Sequence, residues 1–98
     1  MATPSFDREV TGCFAADLMS DVLAFARPGS LLLTGLATDQ TIRTAAVRNL
    51  AAVCLIEGKS ADADMQEAAR EEGLPLLRTP LSKYEACGLL RQAGLGGS

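Results

Sequence analysis

Short apolar runs alternate with segments of helical periodicity along this chain. The runs at residues 30–35, 51–56 and 74–77 are bounded or interrupted by glycine or proline, a pattern that favours short strands covered on both faces. A further strand is predicted at residues 8–14, although Gly12 interrupts it. The pattern therefore predicts strands separated by helices.

The segments between these runs have the spacing of amphipathic helices. Apolar positions three and four residues apart predict helices at residues 18–26, 39–50 and 60–72. A last helix follows Ser82, which forms a capping box with Glu85 because each side chain can reach the backbone N–H of the other residue. These four segments give every predicted strand a helix after it.

Caps and buried faces follow from the same pattern. Leu18, Val22 and Phe25 share one face of the first helix, and Arg43 and Arg48 are expected to point outward from the second. The helix caps are predicted at Asp17, Asp39, Ser60 and Ser82. The inward positions of the last helix are predicted to be Ala86, Cys87, Leu90 and Ala93.

The alternation of strand and helix with short loops predicts an α/β fold. We expect a mainly parallel sheet of four to five strands with helices packed on it. The 98 residues suit a single domain, since a chain of this size buries roughly two-thirds of its unfolded surface. Residues 1–7 and 95–98 are expected to be flexible.

Composition removes several classes of function. The chain has 9 Lys and Arg against 12 Asp and Glu, a net charge of −3, and no His. An acidic balance disfavours binding to nucleic acid or to an anionic membrane, and the absence of His removes the usual acid–base residue. The sequence contains no secretory signal, no apolar run near the ~20 residues of a membrane span, and no glycine-rich phosphate loop. We therefore expect a cytoplasmic protein that is not an enzyme.

Polar residues collect where the predicted strands end. The carboxyl ends of parallel strands meet at one edge of a sheet, where small ligands bind. The candidate ligand rim consists of Thr34, Gly35, Thr38, Asp39, Gly58, Lys59, Arg78, Thr79 and Ser82. A structural interpretation stands beside this one, because the same residue types serve as helix caps, turn formers and solvated charges.

The three cysteines leave two interpretations open. Cys13, Cys54 and Cys87 are widely spaced and form no CxxC pair, so neither a zinc site nor any other metal site or cofactor is expected. They are either reduced, mostly buried thiols, or Cys13 and Cys87 form a redox-sensing pair.

Several segments together resemble the DRTGG domain family. The sequence reads DLMSDVL at 17–23 and AAVCLIEGK at 51–59, and then EGLPLL at 72–77. TPLS at 79–82 and YEACGLL at 84–90 complete the likeness. It covers nearly the whole chain, about residues 9–95, and rests on the order and spacing of these segments.

The resemblance implies a regulatory module whose chemistry lies in other domains. Domains of this family look like the N-terminal domain of bacterial HPr kinase/phosphorylase, and they form dimer contacts or transmit regulation. The expected function is therefore a homodimeric interaction module with a metabolic or hydrogenase-associated enzyme as a further partner. The alternative is a sensor that binds a nucleotide or metabolite at the rim.

The chain departs from the residues that name the family. The Asp-Arg pair falls on Asp39 and Gln40, and the Thr-Gly-Gly falls on Ile56, Glu57 and Gly58. A carboxylate at Glu57 would repel phosphate, so an anion site carried over from the family is placed in doubt.

Overall fold

Strands and helices alternate through the whole of the described chain. The structure is a computed structural model and describes residues 10–95. Within these residues the elements are β1 (Gly12–Ala15), α1 (Met19–Phe25), β2 (Ser30–Thr34), α2 (Asp39–Val47), β3 (Ala52–Leu55), α3 (Ala63–Glu72), β4 (Leu76–Arg78) and α4 (Lys83–Gln92). The predicted α/β fold with a parallel sheet is confirmed; its likeness to the HPr kinase N-terminal domain stays a prediction.

The strands lie in the sheet in the order in which they occur in the chain, β1-β2-β3-β4. Every neighbouring pair is parallel, with Gly12 opposite Ser30 and Leu31 opposite Ala52. Right-handed crossovers that always advance in one direction leave their helices on the same side of the sheet. The three crossover helices, α1, α2 and α3, accordingly share one core with the sheet, and α4 packs on the opposite face.

Alternate residues of the central strands supply these two faces. Leu32, Val53 and Leu55 face the three crossover helices, whereas Leu31 and Leu33 face α4. All five are almost completely buried. This explains why the strands appear in the sequence as continuous apolar runs, as predicted.

The first helix differs from its prediction at both its cap and its face. It begins at Met19 and its N-cap is Leu18, so Asp17 does not cap it. Met19 and Val22 are buried, whereas Leu18 and Phe25 are 62% and 66% exposed. Apolar residues surround most of this short helix, and the contact with the sheet decides which of them are buried.

Other predicted helix details are corrected as well. α2 begins at Asp39, but its N-cap is Thr38. Asp62, not Ser60, caps α3 by accepting a hydrogen bond from the Met65 N–H at 2.8 Å. Helix boundaries vary by one or two residues between assignments, so spacing in the sequence does not fix which residue caps a helix.

Two side chains do not have the exposure that the sequence predicted for them. Arg48 is half-buried, and its guanidinium donates to the Ala26 carbonyl oxygen at 2.7 Å, which satisfies the end of α1. Ala93 is exposed because α4 ends at Gln92. The capping box of Ser82 and Glu85 is confirmed.

The remaining boundaries shift by a few residues. β4 starts after Pro75, whose carbonyl oxygen accepts from the Val53 N–H at 3.0 Å. The predicted flexibility of residues 1–7 and 96–98 concerns residues outside the described range. Leu95 is described, and its N–H donates to the Leu90 carbonyl oxygen at 2.9 Å. In residues 10–95, the helices are all too short or too polar to cross a lipid bilayer.

Candidate functional site

The carboxyl ends of the parallel strands bring several of the predicted rim residues to one edge. Thr34 ends β2 and Gly35 follows it, Gly58 and Lys59 follow β3, and Arg78 ends β4. Thr38 and Asp39 lie at the start of α2, Thr79 follows β4, and Ser82 caps α4. The predicted rim residues thus lie at or shortly after the carboxyl ends of β2, β3 and β4.

Asp17 is the centre of the hydrogen bonding at this edge. Its Oδ1 accepts from the Gly35 N–H at 2.8 Å and from the Thr34 hydroxyl at 3.1 Å. Its Oδ2 lies 3.4 Å from the Lys83 Nζ at the start of α4. The pKa of Asp17 lies below its ordinary value, mainly because the Gly35 amide donates to the carboxylate. Partial burial acts in the opposite direction, whereas Thr34 and Lys83 lower the pKa further. Asp17 thus connects the ends of β1 and β2 with α4.

Sequence reasoning missed this role because it assigned Asp17 to a helix cap. Asp17 lies two residues beyond β1, so it occupies the same edge as the other rim residues. This position after a predicted strand was the sequence signal from which the role of Asp17 could have been predicted.

The turn after β3 has a left-handed backbone at two successive residues. Glu57 has a φ of 56° and Gly58 a φ of 69°. The Glu57 N–H donates to the Leu81 carbonyl oxygen at 2.8 Å, and the Gly58 N–H donates to that of Thr79 at 2.9 Å. These two amides therefore stabilise the chain itself, whereas a phosphate-binding loop needs its amides directed at the ligand.

Other rim side chains also bond within the protein. The Arg78 guanidinium donates to the Gly58 carbonyl oxygen at 3.0 Å, and the Thr79 hydroxyl accepts from the Leu81 N–H at 3.3 Å. Asp39 pairs with Arg43 at 3.4 Å, and the Thr38 and Thr41 hydroxyls lie 3.5 Å apart. These contacts correspond to the structural roles that the sequence left open as an alternative.

Two carboxylates approach the same glycine. A Cβ added at Gly35 would lie 3.7 Å from Asp17 Oδ1 and 4.0 Å from Glu57 Oε1. The negative charge on this side is balanced in part by Lys83. In residues 10–95, His, Cys, Asp and Glu side chains form no group of three that could hold a metal ion.

A cleft opens beside the last two strands. It has a volume of about 490 Å³ and includes Leu55, Leu76 and the polar side chains of Ser60, Gln66 and Arg78 in its lining. Arg78 is the predicted rim residue that it contains. The size of this cleft and the polar side chains in its lining would allow a small molecule to bind there.

The outer side of α4 carries a second candidate surface. We call the exposed residues Tyr84, Glu85, Gly88, Leu89 and Arg91 the α4 face. Tyr84 is 89% exposed and Leu89 is 55% exposed. An apolar cleft of about 210 Å³, lined by Leu89 and by residues of the sheet, adjoins this face. Exposed large apolar groups beside an apolar cleft are typical of contact surfaces.

The three cysteines are free and differ in position. Cys54 is buried in β3, and burial raises its pKa. Cys13 of β1 and Cys87 of α4 are half-buried and line one cavity of about 220 Å³. The fold therefore brings together the two cysteines that the sequence singled out as a pair.

Comparison with known proteins adds no neighbour to this picture. The chain matches no protein-family model, no curated protein and no solved structure. The fold defines an α/β domain with a parallel sheet, and the resemblance to the DRTGG family stays a prediction from the residues.

Proposed function

We propose that this protein is a non-catalytic interaction module that acts as a homodimer through the α4 face. The observation that carries the proposal is Gly88, which lies in the middle of α4. Apart from its two chain neighbours and the backbone of α4, no described atom lies within 4 Å of a Cβ added there. Glycine within a helix costs about 1 kcal/mol relative to alanine, and the monomer offers no contact that requires it. A second helix packed closely against α4 at this position would require a glycine there.

The charges around Gly88 favour a second copy of the same chain as the partner. Glu85 precedes Gly88 by one helical turn and Arg91 follows it by one turn. A two-fold axis through Gly88 pairs two α4 helices antiparallel, so Glu85 of each copy lies beside Arg91 of the other. Such an isologous contact is complementary to itself. Ser82 holds the Glu85 carboxylate and lowers its pKa, so Glu85 is charged at neutral pH.

Apolar surface on the same face supports this arrangement. Tyr84 and Leu89 project beside Gly88, and the apolar cleft next to Leu89 contains Leu31 and Cys54 of the sheet. A second copy can bury these groups around the polar contacts of the helix pair. Interface centres commonly combine aromatic anchors with an apolar pocket in this way.

Sedimentation velocity at micromolar concentration tests the dimer directly. We expect a dimer for the natural sequence and a dissociation constant raised at least about thirtyfold by Gly88→Arg, since the loss of a central contact costs about 2 kcal/mol. The monomer should tolerate this change because arginine favours helix more than glycine does. Glu71→Arg, which also places a cation on an exposed helix position, should leave the dimer unchanged. A strict monomer would contradict the proposal.

The cleft at Arg78 favours a second candidate function, which is binding of a nucleotide or metabolite at the rim. Its volume of about 490 Å³ and its Ser60, Gln66 and Arg78 side chains suit a polar small molecule. A ligand at 100 times its Kd adds about 2.7 kcal/mol to stability, so a thermal-shift screen with adenine nucleotides tests this function. Arg78→Gln should abolish the shift. An unchanged melting temperature with every nucleotide would remove this candidate.

Two finer proposals rest on the sequence. The DRTGG resemblance favours a metabolic or hydrogenase-associated enzyme as a further partner, which pull-down with the Gly88→Arg variant as control would test.

Three free cysteines favour the reducing cytoplasm, and cell fractionation measures this directly. Recovery in an oxidising compartment would contradict it.

A further inference from the structure

Cys13 and Cys87 meet between an edge strand and the helix that covers it. Cys13 lies in β1 and Cys87 in α4, and both pack against the core on that side of the sheet. Both are half-buried and free, so small oxidants can reach them. The cavity between them is lined also by Ala15, Arg91 and Leu95 and measures about 220 Å³.

The two thiols also interact with each other. Burial raises the pKa of Cys13 most, and the neighbouring Cys87 raises it further. Cys54 lies on the same side of the sheet, but β3 is separated from β1 by β2, and Cys54 does not line this cavity. The chain therefore contains one paired set of thiols and a third thiol that serves as an internal control.

We propose that Cys13 and Cys87 are a modification site at which a hydroperoxide forms a reversible disulfide between β1 and α4. One thiolate attacks the peroxide, the O–O bond breaks, and a sulfenic acid and an alcohol or water are formed. The second thiol then attacks the sulfenic sulfur, an S–S bond forms, and water leaves. Two thiols have lost two electrons and two protons in total, and the peroxide has accepted them. A dithiol reductant reverses the reaction by exchange.

This modification does not depend on the dimer, because both cysteines belong to the same copy of the chain. It acts, however, on the helix that carries the α4 face. The disulfide closes a loop that includes α1, β2, α2, β3, α3 and β4. Cross-links that close long loops restrict the unfolded chain strongly. Oxidation should therefore raise the melting temperature by about 10 °C or more.

Titration of free thiols after hydrogen peroxide treatment tests the proposal. We expect the three thiols of the natural sequence to fall to one, with peptide mass spectrometry joining Cys13 to Cys87 within one chain. Because the thiolate is the attacking form and the pKa of Cys13 is raised, disulfide formation should become faster as the pH rises. Dithiothreitol should restore all three thiols.

Cysteine variants and the identity of the oxidation products distinguish the proposed disulfide from other modifications. Cys54→Ser should still form the disulfide and show the higher melting temperature, whereas Cys13→Ser and Cys87→Ser should show neither. A disulfide between two chains, a bond to Cys54, or separate oxidation of each thiol to sulfinic acid would overturn the proposal. The mapping of the natural sequence decides the question even where a variant fails to fold.

Discussion

The carboxylate of Asp17 joins parts of the protein that lie far apart in the chain. Thr34 and Gly35 are 17 and 18 residues away from it, and Lys83 is 66 residues away. Hydrogen bonds to a charged group contribute more than those between neutral groups, although exposure reduces the contribution of the ion pair with Lys83. One side chain therefore supports the edge at which β1, β2 and α4 meet.

Asp17→Asn should lower the free energy of unfolding by about 1 kcal/mol at pH 7. Folding lowers the pKa of Asp17 from its ordinary value of 3.8. The ionised carboxylate therefore stabilises the fold at pH values above 3.8, and this stabilisation is lost as the pH falls through the lower pKa of the folded state. The difference between the natural sequence and the variant should therefore shrink on acidification. Urea unfolding at pH 7, 5 and 3 measures it.

Asp21→Asn is the matched control because Asp21 is a half-buried carboxylate in the first turn of α1. Its removal should change stability by only a few tenths of a kcal/mol. A constant difference between the natural sequence and Asp17→Asn across the whole pH range would contradict the role given to Asp17.

Glu57 occupies a backbone conformation that suits glycine better. Left-handed φ costs a side chain with a Cβ roughly 1–2 kcal/mol, so Glu57→Gly should raise the free energy of unfolding by up to about 1 kcal/mol. Asn49 has almost the same φ, 57°, but asparagine tolerates this region. The free energy of unfolding should therefore rise less in Asn49→Gly than in Glu57→Gly. Urea unfolding of the two variants gives the comparison, and a loss of stability in Glu57→Gly would show that its side chain outweighs the strain.

Single residues show which contacts a sequence can predict. The capping box of Ser82 and Glu85 is closed within one helical turn, so its spacing in the sequence was sufficient to find it. Asp17 precedes a helix by the spacing of a cap, but its hydrogen bonds depend on how β2 lies beside β1. The location of the rim followed from the order of elements, whereas the partners of its side chains required the folded chain.

The same contrast holds for whole elements. The strands were predicted because apolar runs indicate burial on both faces, and β2 and β3 are buried at every position. The buried side of α1 was not predictable, since Leu18, Leu23 and Phe25 are as apolar as the residues that contact the sheet. Periodicity fails where too many positions around a helix are apolar.

Leu32→Ala and Leu55→Ala should each lower the free energy of unfolding by about 2–5 kcal/mol. Both side chains lie between the sheet and the crossover helices and are fully buried, so truncation leaves a cavity. Leu23→Ala on the exposed side of α1 is the control and should cost less than about 1 kcal/mol. Urea unfolding compares the three. Equal losses for all three variants would contradict the packing of Leu32 and Leu55 between the sheet and the crossover helices.

At the scale of the whole molecule, the strand order distributes the helices unequally. Three crossovers in one direction cover one face of the sheet with α1, α2 and α3, whereas α4 is the helix that covers the other in residues 10–95. The apolar cleft beside α4 lies on the face of the sheet that α4 covers. The proposed dimer would bury this cleft together with the surface around Gly88.

If a second copy covers this surface, stability must depend on protein concentration. Unfolding of a dimer releases two chains, so mass action raises the apparent stability as concentration increases. From about 1 to about 100 µM, the melting temperature of the natural sequence should rise by about 5 °C. The rise should be smaller for Gly88→Arg, because its weaker dimer is populated over less of this concentration range. Calorimetry at the two concentrations measures both, and a concentration-independent melting temperature for the natural sequence would contradict a dimer coupled to folding.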